Sequence, residues 1–166
     1  MTISETLLPE FDQEMVNTRK LLELVPEDKF TWKPHEKSFS LGRLASHVAE
    51  MPGWVTVTVN QDSLKLTPGQ KPFNAATKVE LLTAFDKNIS EGRAALATAT
   101  DEHLGKKWSF FYGDHQVLSQ PRTEVLRSMV MNHTIHHRAQ LGVYLRLLNV
   151  PIPGMYGPSA DTPFAG

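Results

Sequence analysis

The sequence contains no cysteine among its 166 residues. That excludes a disulfide framework, a thiolate nucleophile and a cysteine-ligated metal. It also fits a reducing compartment, and a cytoplasmic location is expected. Net charge is nearly absent: 17 Lys and Arg against 18 Asp and Glu leave −1 at neutral pH. A chain so balanced lacks the field that draws DNA, RNA or anionic lipid, so no nucleic-acid partner is expected. No apolar run approaches the roughly 20 residues of a membrane span, so no membrane partner is expected either. The acidic start MTISETLLPEFDQEM lacks the basic segment and apolar run of a signal peptide. The phosphate-cradling loops GxGxxG and GxxxxGK followed by Ser or Thr are both missing. What remains is ordinary for a globular chain. Apolar residues make up 40 % and charged residues 21 %, which supports a buried core and one domain over residues 1–166.

Four helical patterns carry most of the chain. From about Ile3 to Leu24, apolar residues Leu7, Leu8, Phe11, Met15, Leu21 and Leu22 recur at three- and four-residue spacing, and Pro26 ends the run. Phe30 and Trp32 follow in a loop and are expected to fold back onto the core. A second helix starts at the N-cap Ser40 and runs to about Asn60, with a kink at Pro52. Its last part, VTVTVN, alternates like a strand, but no partner strand is evident nearby and a helix is preferred. Residues 61–76 read as a loop. Thr77 and Glu80 open a third helix as a capping box, and it runs to Ala99. Residues 101–119 read as a short irregular segment or a hairpin around Gly113 and Asp114. The last helix runs from Pro121, at its first position, to about Asn149. Its stripe is Leu126, Met129, Val130, His133, His137, Leu141, Tyr144 and Leu148. The expected fold is therefore all-α, a four-helix bundle with a Pro- and Gly-rich surface tail.

The chemistry lies in the histidines. His133 and His137 stand four residues apart, so on a helix both imidazoles share one face. By stripe position both point into the bundle. His47 does the same on the second helix, between Leu44, Val48 and Met51. Three inward polar rings need partners, because an unsatisfied buried polar group costs about 1–3 kcal/mol. One divalent metal ion shared by His47, His133 and His137 meets that need, and zinc, nickel, iron and manganese are the candidates. Three protein ligands leave a coordination position open. By spacing His136 could replace His137, but His137 keeps the register of Val130, Leu141 and Tyr144. His35, His103 and His115 fall in expected loops and read as solvated or locally bonded. HTIHH is not the zinc-protease HExxH, because Thr134 stands where the general base would be. Tyr144 reads as core, Arg138 as a surface or interface residue, and Trp54 as a packing residue or pocket wall.

The stretches WKPHEKSFSLGRLASHVAE, PRTEVLRSMVMNHTIHHRAQLGVYLRLLNVPIP and YGPSADT resemble the DinB-like (DinB/YfiT) superfamily, in order and over nearly the whole chain. The most specific parts are SLGxLxxH, ending at His47, and NHxxxHHRxQLxxYLR, around His133 and His137. The resemblance implies an up-down-down-up bundle with a long crossover. It also implies a metal triad on the same three residues and a homodimer. Some members are thiol-dependent S-transferases or isomerases using bacillithiol, mycothiol or glutathione, so a low-molecular-weight thiol enters as a possible cosubstrate. One departure, RAQ where many members carry RGQ, leaves Ala139 in a helix that suits it. The leading functional expectation is thus a metal-dependent S-transferase or hydrolase acting on a small-molecule substrate. The alternative is a non-catalytic, metal-stabilised or small-ligand-binding bundle. A third reading has no metal, with the histidines bonded to each other and to water.

Overall fold

The computed structural model describes residues 1–164. Helix α1 spans Ile3–Glu23 and begins with a capping box that the sequence pattern had not drawn attention to. Thr2 accepts from the Glu5 backbone N–H, and the Glu5 side chain accepts from the Thr2 N–H. The expected second helix is two: α2, Leu41–Glu50, capped by Ser40, and α3, Gly53–Asn60. The break falls at Pro52, which has no N–H to continue the ladder. Tight turns replace it there, with Trp54 N–H donating to Met51 and Val55 N–H to Pro52, both at 3.1 Å. VTVTVN is helical, as preferred.

Helix α4 spans Lys78–Thr98, with Thr77 as its N-cap. Gly92 is required where α4 meets the break, since a Cβ there would stand 2.8 Å from the Pro52 carbonyl oxygen. After a short helix α5, Asp101–Gly105, comes a hairpin of β2, Lys107–Tyr112, and β3, His115–Pro121. A one-turn helix α6, Arg122–Val125, leads into a wide π-helical turn over Leu126–Asn132, and then α7, His133–Leu147. Pro121 ends β3 and flanks the helix instead of occupying its first position.

Cross-links give the helix directions. Asp12 pairs with Arg93 and Asp86 with Arg19, so α1 and α4 are antiparallel. Glu10 meets Arg127, and Glu14 and Thr18 meet Arg138, so α1 and α7 run parallel. The Tyr144 hydroxyl donates to the Phe39 carbonyl while His47 faces His133, so α2 and α7 are antiparallel. The order is up, down, down, up. Phe11, Leu22, Leu44, Phe85 and Leu141 are among the fully buried core side chains. Phe30 and Trp32 pack against this core, as expected.

The all-α expectation needs correction. Strand β1, Ser63–Leu66, pairs in parallel with β2, making a three-stranded sheet in the order β1-β2-β3. Ser63–Leu66 alternates polar and apolar, but four residues are too few to tell a strand from a loop when the partner lies far along the chain. Among the described residues, no helix is long and apolar enough to cross a membrane.

Candidate metal centre

His47 sits on α2, and His133 and His137 on α7, two helices packed antiparallel. The structure brings all three together: one ligand atom from each lies within 4.8 Å of the others. The rings of His47 and His137 are 4.6 Å apart at their centroids, and those of His47 and His133 are 5.3 Å apart. All three are half-buried.

Their place on α7 differs from the stripe reading. The buried positions there are Thr134, Arg138, Leu141 and Leu145, with His133 and His137 at the margin of that face. The π-helical turn is the cause. It takes more residues per turn than an α-helix, so the inward face advances by one residue beyond the 3.6-residue count. The histidines are therefore held by the core but open on one side.

Two residues the sequence reading passed over aim the rings. His47 Nδ1–H donates to Glu50 Oε1 at 2.7 Å. His137 Nδ1–H donates to Gln140 Oε1 at 2.7 Å. The Gln140 amide is oriented in turn by donating from its nitrogen to His136 Nε2 at 3.1 Å. These hydrogen-bond networks assign the protons and leave Nε2 of both rings free as a lone-pair donor. Arg43 completes the outer layer: it donates to Glu50 Oε1 at 3.0 Å and to the Phe73 carbonyl at 3.1 Å, and lies over the Phe39 ring. The signal was legible. HVAE and HRAQ each place an acceptor three residues after a ligand histidine, one turn along the same face.

The surroundings of His133 suit an ion. Its Nε2 lies 2.8 Å from Nε2 of His137. With the His137 proton on Nδ1, that contact needs the His133 proton between the rings, or a cation in its place. In the first case His133 Nδ1 is left a buried acceptor with no well-formed hydrogen bond. A cation at Nε2 would leave the proton on Nδ1. The donor set fits a borderline divalent ion.

The electrostatics agree. Burial lowers the pKa of His137 from 6.5 to about 4, against the pull of Gln140, and charge on His47, His133 and His136 lowers it further. Burial and then the charge of His47 lower that of His133. Both rings are thus neutral, the form that ligates.

The other histidines stay outside. His136 is exposed and bonds to Gln140. His35 accepts from the Lys37 backbone, and His103, on α5 rather than a loop, contacts the Val59 carbonyl at 2.7 Å. His115 opens β3 and is exposed. Arg138 is a correction: instead of lying at the surface it is buried and paired with Glu14 at 2.6 Å. Tyr144 is half-buried, stacked edge-on to Trp32. Trp54 stacks edge-on to Phe110 and also walls a chamber of about 390 Å³ that opens on His47 and Glu50.

The family model described as "DinB family" matches residues 1–163. The chain belongs to the DinB family. A curated relative, the uncharacterized protein YrdA of Bacillus subtilis (strain 168), is 24 % identical over 155 residues, covering 93 % of this chain and 88 % of the relative. A crystallised DinB-like protein from Bacillus cereus ATCC 10987 superposes with a TM-score of 0.73 at 22 % identity, over 92 % of this chain and 97 % of that one. A DinB-like protein of Bacillus subtilis, YjoA, gives 0.66 at 19 % identity, over 96 % and 99 %. These likenesses support the fold of this DinB-family protein.

Proposed function

We propose that this DinB-family protein holds one divalent metal ion on His47, His133 and His137 and works as an enzyme that joins a whole thiol, or water, to a small electrophilic substrate through its sulfur or oxygen, releasing the nucleophile's proton and the substrate's leaving group. The convergence of three imidazoles, with Glu50 and Gln140 holding Nε2 of two of them free, carries the reading. A metal bound there supplies Lewis acidity, lowering the pKa of a thiol or water on its open side toward neutrality. The residues do the rest. Glu50, held by Arg43, keeps the proton of His47 on Nδ1. Gln140 does the same for His137. Three ligands from two helices leave an open side, as a site that accepts substrate requires and a closed structural site does not. Trp54, Phe73, Leu64 and Leu66 line the chamber beside His47, where they exclude water and seat an apolar substrate portion.

The metal is tested first. Protein purified without a nickel column is expected to carry about one divalent ion per chain by elemental analysis. His133→Ala is expected to lose it. Activity is tested with low-molecular-weight thiols against chlorodinitrobenzene or monobromobimane. Turnover that survives in His47→Ala would end the metal-enzyme reading.

A further inference from the structure

The chamber beside His47 is built with one charge to spare. Its walls are mostly apolar, from Trp54 and Val57 on α3, Leu64 and Leu66 on β1, and Phe73. Besides the Tyr112 phenol, four ionisable groups line it: Arg43, His47, Glu50 and Lys71. Three of them satisfy one another. Glu50 accepts from His47 at 2.7 Å and from Arg43 at 3.0 Å, and Arg43 spends a further donor on the Phe73 carbonyl. Lys71 alone among them pairs with no described residue.

The roof is preformed. Leu64 and Leu66 are the half-buried residues of β1, which is fixed by pairing to β2. Beyond β1, Gly113 N–H donates to the Leu66 carbonyl at 2.9 Å. The chain then turns back, with Gln70 N–H donating to the Thr67 carbonyl at 3.0 Å and Gly69 at φ 82°. That turn delivers Lys71 to the chamber wall. The small sheet thus works as a lid frame over the His47 side of the bundle. The volume of about 390 Å³ falls within the roughly 300–1,000 Å³ of small-molecule sites.

We infer that this chamber binds a small molecule with an apolar body and one anionic end, the body between Trp54 and the two β1 leucines and the anion at Lys71. The apolar walls reject a ligand charged along its length. The Lys71 ammonium, exposed at the mouth and without a described carboxylate beside it, favours one sign for the charge that is admitted. The body then lies against His47, so the substrate class of the proposed enzyme is an amphipathic organic anion. That last step rests on the metal-enzyme reading, whereas binding in the chamber does not.

The test uses two probes of one shape, 3-phenylpropane-1-sulfonate and the neutral methyl 3-phenylpropyl sulfone. A sulfonate is a poor ligand for zinc, so its affinity reads the lysine and not the metal. Calorimetric titration of the full chain, zinc-loaded and EDTA-treated, is expected to show the sulfonate binding on the order of tenfold tighter than the sulfone in both states. Lys71→Met, an exposed change that leaves the fold intact, is expected to erase that preference and keep the sulfone affinity. Leu64→Trp fills the chamber and is expected to abolish both. Equal affinity of the two probes, no binding of either, a preference that survives Lys71→Met, or binding that vanishes with EDTA would each overturn the inference. Zinc content measured on the same samples separates the two ideas. Retained zinc without a sulfonate preference defeats the chamber alone, and a preference without zinc uptake defeats the metal reading alone.

Discussion

A histidine becomes a good ligand when something else decides where its proton sits, and here Glu50 and Gln140 make that decision for two rings. Their removal frees the rings to turn and to change tautomer. Glu50→Gln and Gln140→Leu are each expected to weaken metal affinity about 10–100-fold, measured by competition with a chromogenic chelator. An unchanged affinity in both would assign these contacts to packing only. The depressed histidines also make acid sensitivity predictable. Between pH 6.5 and about 4 the unfolded chain takes up a proton that folded His137 refuses. The His137 contribution to the stability of the metal-free protein is therefore undiminished above pH 6.5 and falls as the pH drops toward 4. Denaturant midpoints across that window are expected to decline more steeply for the wild type than for His137→Gln. Parallel declines would show that His137 does not contribute.

At the scale of elements, the π-helical turn and the Pro52 break matter most. The first rotates α7 so that its two histidines sit at the core margin. The second ends α2 just past Glu50, so the following helix can wall the chamber. The sheet is anchored to the helices through Arg122, a fully buried residue. It donates to the carbonyls of Thr58 and Gln61 at the end of α3, and to Lys106 and Lys107 at the start of β2. It also pairs with Asp62 at 2.8 Å. Removing it strands several acceptors at once. Arg122→Met is expected to cost about 2–4 kcal/mol in urea denaturation, and a loss below about 1 kcal/mol would show that water replaces it. Sequence reasoning found the helices because caps and apolar spacing act within one or two turns. It missed β1 because SLKL has meaning only beside β2.

At the scale of the whole molecule, Arg138 ties α1, α7 and the tail into one unit. Its guanidinium pairs with the Glu14 carboxylate, donates to Thr18 Oγ1 at 3.2 Å, and meets the Tyr156 hydroxyl, which donates to Glu14 at 2.7 Å. Both charges are buried, so the pair is costly to break from one side. Arg138→Met is expected to lose about 3–5 kcal/mol, and adding Glu14→Gln to recover part of it; strict additivity of the two losses would refute the coupling. Nothing local marked this arginine as buried. It entered the core because the π-helical turn moved the inward face onto it, and a carboxylate waited there on a helix near the other end of the chain.

The amino-acid sequence by itself determined the helix starts at Ser40 and Thr77, the break at Pro52, and the pairing of His133 with His137 on one face. Each follows from backbone preferences or contacts between neighbours a few residues apart. The stripe of the second helix also aimed His47 at that pair, but only the tertiary structure decided the distance at which they meet, that Glu50 and Gln140 hold the rings, and that a sheet roofs the chamber. Those arrangements depend on helix rotation and on strand pairing across long chain separations, which are set when the whole core closes.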